Sequence, residues 1–226
     1  MFKLCMLAAA TLALAAAQDP AEGWMGYAKG VSPRGTGVIT HAEAKWKVLS
    51  KPNNAANAFY SPWFGIESSD NLNLIQPVNP WTGRAWQMYI EYFQWEPEHN
   101  ENSQGHIVSP GDVLHGVIDL DQSSQTYIIS HTNLNTGWNV KTQIPVQRKL
   151  SGEYKEYTIL YFVFEKTFAC HQYPAEEVVT FYDIAVQYDN QTVAPTWTTA
   201  YVDDNCNNRA HILNETTISI TWDTSM

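Results

Sequence analysis

Short strand-like stretches cut apart by turn signals set the rhythm of this chain, and that rhythm narrows the fold more than any other feature. β-branched and aromatic residues dominate Gly37 to Val48, Tyr60 to Ile66, Asn71 to Val78, Ala85 to Trp95, Asp112 to Leu120, Thr126 to Thr132, Trp138 to Val146, Glu156 to Phe168, Val178 to Gln187 and Thr216 to Trp222. Between them stand turn formers such as Lys51-Pro52-Asn53-Asn54, Asn79-Pro80-Trp81-Thr82-Gly83, Ser109-Pro110-Gly111-Asp112 and Asn133-Leu134-Asn135-Thr136-Gly137. No stretch after the first residues keeps a long helical period, and there is neither an interior linker nor an internal repeat. The expectation is one antiparallel β-sandwich domain over residues 18–226.

Residues 1–17 are set apart. Met1-Phe2-Lys3, a short Ala/Leu core and Ala15-Ala16-Ala17-Gln18 have the basic start, apolar run and small-residue cleavage site of a secretory signal. That core is too short to span a bilayer, and no later segment approaches the necessary length, so the remaining chain is expected to be exported and soluble. Cys5 leaves with the signal. Cys170 and Cys206 are then expected to pair in an oxidising compartment, closing a loop worth roughly 3–4 kcal/mol on the chain-entropy account; two free thiols are the alternative. Asn190-Gln191-Thr192 and Asn214-Glu215-Thr216 are acceptor sequons for the same compartment. The net charge of −10 argues against nucleic acid and anionic membranes as partners. Carboxyls neutralise near their reference values of about 4, so such a surface is compatible with work in acid. A monomer is expected.

Chemistry has few places to reside. The seven histidines show no zinc-helix spacing and no Cys-x-x-Cys partner, and neither a serine elbow nor a phosphate-cradling glycine loop occurs, so no metal and no cofactor are expected. Glu165 ends an almost wholly apolar stretch, Thr158-Ile159-Leu160-Tyr161-Phe162-Val163-Phe164. With a period of two, Leu160, Phe162 and Phe164 form one face, and Tyr157, Ile159, Tyr161, Val163 and Glu165 the other. A carboxyl held among rings is a tuned acid or base; the alternative is a solvated strand end. Gln76 shares a face with Leu72, Leu74 and Val78, an amide where an apolar residue is the norm, and Pro77 restricts it to extended backbone. An amide there can donate to an oxygen gaining negative charge, or can simply be a surface residue. Glu91, Glu96, Glu98 and Glu101 cluster near the Ala85 to Trp95 strand and read mostly as solvated. With 9 Trp, 12 Tyr and 8 Phe there is more aromatic surface than a core of this size requires, so some rings should line a groove.

Read in order, several segments resemble one family. Ser61-Pro62-Trp63-Phe64-Gly65-Ile66-Glu67 with Leu74-Ile75-Gln76 looks like the Trp-x-Gly-Ile-Asp … Ile-Leu-Gln segment of the eqolisin glutamic peptidases. Gly23-Trp24-Met25-Gly26 resembles their Trp-Gly-Gly start, and Ala42 to Val48 their first long strand. Tyr92-Phe93-Gln94-Trp95-Glu96-Pro97-Glu98 is similar to their Trp-Tyr-Glu-Trp-Tyr-Pro-Glu, and Ile107 to Asp112 to their Ile-Ser-x-Gly-Asp turn. Tyr161 to Glu165 is similar to the apolar segment ending in their catalytic glutamate, and Ser219-Ile220-Thr221-Trp222 to their closing strand. The resemblance implies a lectin-like sandwich of two curved sheets, with Gln76 and Glu165 as a catalytic dyad that hydrolyses peptide bonds in acid. It also implies that Trp24, Trp63, Glu67, Tyr92 and Gln94, the last standing where the motif has Glu, meet the polypeptide substrate. A catalytically degenerate relative and a carbohydrate-binding module on the same sheet are the other readings.

Overall fold

The computed structural model describes residues 23–52, 58–165, 169–202 and 204–226; the expected signal, the end of the Lys51 to Asn54 turn and residues 166–168 of one expected strand lie outside these. Among the described residues sixteen strands follow one another: β1 (Trp24–Val31), β2 (Ile39–Lys47), β3 (Ser61–Ser68), β4 (Asn73–Val78), β5 (Trp86–Trp95), β6 (Glu98–Asn102), β7 (His106–Val108), β8 (Val113–Asp121), β9 (Thr126–Asn133), β10 (Asn139–Pro145), β11 (Tyr157–Glu165), β12 (Val178–Tyr188), β13 (Gln191–Thr192), β14 (Thr196–Tyr201), β15 (Arg209–Asn214) and β16 (Thr217–Thr221). They make two sheets. One runs β14-β1-β11-β3-β4-β5-β6 with β7 on β5, and the other β10-β9-β8-β2-β12-β16-β15 with β13 on β12. Pairing is antiparallel throughout, as a sandwich built of hairpins and returns requires.

Alternation of side chains explains how the layers meet. Leu160, Phe162 and Phe164 of β11 enter the cluster between the sheets with Phe64 and Ile66 of β3, Ala42, Ala44 and Trp46 of β2 and Phe181 of β12. The opposite face of the first sheet carries a second cluster of Trp24, Trp63, Leu74, Val78, Ile159, Tyr161 and Val163. Tyr157 departs from the expected face: the pairing with β3 slips between Tyr157 and Ile159, and that bulge turns its ring into the inner layer. Most of the aromatic surface is spent on the interior. Phe164 stacks on Trp222 at 4.4 Å, and Phe64 on Phe162 at 5.5 Å.

β3 is buried at every residue, with β11 on one side and β4 on the other. At its centre Gly65 has no room for a side chain, since a Cβ there would stand 2.6 Å from the Ile75 carbonyl oxygen and 2.9 Å from the Gln76 Cβ. Gly116 of β8 faces Pro77 in the same way, at 2.6 Å from its ring, so Pro77 packs inward and Gln76 outward. The disulfide joins Cys170 to Cys206, as expected, across 36 residues of sequence. Both sequons lie at exposed hairpin turns, Asn190 between β12 and β13 and Asn214 at the end of β15.

One buried group opposes acid. His131 of β9 is fully enclosed, 5.1 Å from the Trp46 ring, and donates through Nδ1 to the Tyr89 carbonyl at 3.2 Å. Burial, with His115 nearby, lowers its pKa from 6.5 to about 3. The folded state therefore resists a proton that the unfolded chain accepts. This contribution is fully present above about pH 6.5 and is lost as pH falls towards 3, at no more than about 1.4 kcal/mol per unit. In urea denaturation between pH 7 and 3, His131→Leu should show a flatter loss of stability than the parent, whatever its absolute level. Gly65→Ala should lose about 1–3 kcal/mol through overpacking, a fall of about 2–4 °C in melting temperature per kcal/mol.

Candidate active site

Four neighbouring strands, β11, β3, β4 and β5, present one continuous face outside the inter-sheet layer. Residue pairing sets its grid. Val163, Trp63, Val78 and Tyr89 stand opposite one another in a row across the four strands. On one side of this row Tyr161 pairs with Gly65, and Gln76 with Glu91. On its other side Glu165 pairs with Ser61 and, on β1, with Trp24. Gln76 and Glu165 thus share a face but not a row. They are four residues out of step, about 13 Å along the strand at 3.3 Å per residue, and it is Tyr161 that stands across Gly65 from Gln76.

A hydrogen bond ties Glu165 to the intervening row, whereas Gln76 is held within its own row, towards β5. Trp63 donates its indole N–H to Glu165 Oε2 at 3.1 Å, and the Trp24 ring packs edge-on against Trp63 at 5.0 Å and Tyr161 at 4.9 Å. Gln76, only 5 % exposed, donates through Nε2 to Glu91 Oε2 at 2.8 Å. Its Oε1 is buried and accepts no hydrogen bond among the described residues. Glu91 also accepts from Asn100 at 2.7 Å. Burial raises the Glu91 pKa above the usual carboxylate value, and these two hydrogen bonds offset only part of the effect. Tyr89, on β5 one row from Gln76, feels the charge of both Glu91 and Glu165.

The other expected contacts are distributed differently. Trp24 and Trp63 belong to this face. Tyr92 and Gln94 do not: they alternate with Glu91 and Phe93, so they project inward, where the Tyr92 hydroxyl donates to Gln94 Oε1 at 2.8 Å and Asn73 donates to both. Gln94 donates in turn to the Pro97 carbonyl at 2.8 Å. Glu67 stands opposite Leu74 and Ile159, fully buried, and accepts from Asn71 at 3.0 Å.

The face instead receives Tyr89, Glu91, Phe93 and Trp95 from β5. A sequence signal for them exists. Tyr89-Ile90-Glu91-Tyr92-Phe93 repeats the aromatic-x-Glu-aromatic-aromatic order of the Trp-Tyr-Glu-Trp-Tyr motif three residues upstream of the segment first matched to it, and puts the motif's Glu beside Gln76. Because the folded pKa of Glu91 is raised, its ionised form is a burden that grows as pH rises above the unfolded value and vanishes in acid. Glu91→Gln should therefore melt higher than the parent at pH 7, with the gain closing near pH 3, as read by circular dichroism.

The sequence pattern of the Peptidase A4 family matches residues 22–225. Among solved structures, scytalido-glutamic peptidase with a transition-state analog inhibitor is 19 % identical and superposes with a TM-score of 0.65, covering 89 % of this chain and 98 % of its own. SCP-B, an eqolisin in complex with the tripeptide Ala-Ile-His, gives 19 %, 0.64 and the same coverage. Aspergilloglutamic peptidase from Aspergillus niger gives 16 % and 0.53, covering 73 % of this chain and 98 % of its own. None of the curated protein sequences matches. At these identities the superpositions speak for the fold, and the match over 22–225 speaks for descent: the chain belongs to the Peptidase A4 family, the eqolisin peptidases.

Proposed function

We propose that this chain is an exported acid endopeptidase of glutamic type, with Glu165 as general base and Gln76 as oxyanion donor. The observation that carries the reading is the shared face: Gln76 and Glu165 project from one aromatic sheet surface, Gln76 bonded to Glu91 and Glu165 to Trp63, on either side of the row through Trp63 and Tyr89. An extended polypeptide laid over these rings presents a carbonyl between an amide and a carboxylate. Ionised Glu165 takes a proton from water as its oxygen bonds to the carbonyl carbon. The second N–H of Gln76 stabilises the oxyanion, because only the first is engaged by Glu91. When the C–N bond breaks, Glu165 returns the proton to the departing amine, leaving a carboxylic acid and an amine. Residues 1–17 direct export, Asn190 and Asn214 carry glycans in a glycosylating cell, and the enzyme acts as a monomer.

The test is hydrolysis of denatured casein at about pH 3–4, near the reference range of free carboxyls, where an acid peptidase should work. Glu165→Gln should lower kcat by about 10²–10⁴-fold, and Gln76→Ala by about 10²–10³-fold, with near-ultraviolet circular dichroism unchanged. The acid limb of the pH profile should move in Glu165→Asp. Casein left whole by the parent protein, or full turnover in both variants, would overturn the assignment; glycan binding indifferent to both substitutions would favour a sugar-binding sheet.

A further inference from the structure

The row between the two ends of the dyad holds one polar donor that the reaction described above leaves unused. Tyr89 of β5 pairs with Val78, one step along its strand from the Gln76–Glu91 pair. It shares the outer face with Glu91, two residues on, and its ring packs partly buried against the cluster of Trp63, Val78 and Val163. Trp63 Nε1, Gln76 Nε2 and the Glu91 carboxylate are all engaged, whereas the Tyr89 hydroxyl makes no hydrogen bond among the described residues. The backbone beneath it is fixed from the other sheet, where buried His131 donates to the Tyr89 carbonyl at 3.2 Å.

We infer that the Tyr89 hydroxyl is the second donor to the tetrahedral oxyanion, completing with the Gln76 amide a two-point cradle on the β5 side of the scissile carbonyl. This rests on the peptidase reading above. A single neutral amide is a thin cradle for a full negative charge, and a phenol fixed one row away supplies a donor with no reorganisation when the charge develops. The groups facing it are the carboxylates of Glu91 and Glu165. Together with burial they disfavour the phenolate, so the hydroxyl keeps its proton across acid and neutral pH and can only donate to a developing anion. Its role is hydrogen bonding without net proton transfer, so the protons of the hydrolysis still pass through Glu165.

Tyr89→Phe removes the hydroxyl and keeps the ring. The expected result is a fall in kcat of about 10²-fold on casein-derived peptides, the loss typical of one oxyanion donor, with KM within about twofold and the acid limb of the pH profile unmoved. Binding supplies a second reading that needs no turnover. A peptide analogue with a tetrahedral hydroxyl-bearing centre should bind Tyr89→Phe more weakly by a similar factor, while an uncleaved planar peptide, measured in the Glu165→Gln background, binds with and without the hydroxyl alike. If the parent enzyme cleaves and Tyr89→Phe keeps kcat within twofold, the inference is overturned and the peptidase reading stands. A shifted acid limb with unchanged analogue affinity also overturns it, because the hydroxyl would then serve Glu165. If the parent neither cleaves nor binds the analogue, both fall. Should Tyr89→Phe fail to fold, 3-fluorotyrosine at position 89 preserves the ring and strengthens the donor; kcat should rise, and an unchanged kcat would reject the role.

Discussion

The pairing of β3 with β11 is the contact on which the candidate site depends. It sets Trp63 opposite Val163, one step short of Glu165, so that an indole N–H reaches the carboxylate. The same pairing brings Gly65 beneath Tyr161, and the missing side chain lets β4 press close enough for Gln76 to occupy the adjoining position. A slip of one residue would exchange the faces of β11, burying Glu165 between the sheets and exposing Phe162 and Phe164. The apolar alternation that builds the core and the placement of the polar groups are therefore fixed by one register.

Polar groups enclosed by rings make competing demands on pH. Glu91 is disfavoured in its charged form and is relieved in acid, while His131 is disfavoured in its charged form and is strained by acid. They lie on opposite sides of β5, one on the outer face and one under the Tyr89 carbonyl. The strand that carries much of the site is thus bracketed by two groups with opposite protonation costs.

Much of the architecture was legible because burial imposes alternation. β11 could be divided into its two faces from Leu160, Phe162 and Phe164 against Ile159, Tyr161 and Val163, and Gln76 stood out as an amide in an apolar row. β14 and β15 were not legible: they are edge strands exposed at nearly every position, so burial imposes no clean apolar alternation on their sequences. β1 was obscured by Gly26 and Gly30, whose role emerges only when their neighbours are in place; a Cβ at Gly30 would strike the Trp197 ring at 2.5 Å. The three-residue difference in β5, between the segment matched to the motif and the one that shares Gln76's face, has a different origin. The segment holds aromatic residues on both faces, so a motif of rings and one carboxylate fits in two registers, and only the partner strand chooses between them. The four-residue offset between Gln76 and Glu165 belongs to the same class, since sequence gives parity within a strand and says nothing of register between strands.

The bridge from Cys170 to Cys206 begins five positions after Glu165 and ends just ahead of β15. A member of a peptidase family has its own loops within reach of any activity it carries. Scission of any one bond between those two cysteines would leave both fragments tethered, so a single cut in that span would add a pair of termini without covalently releasing β12 or β14.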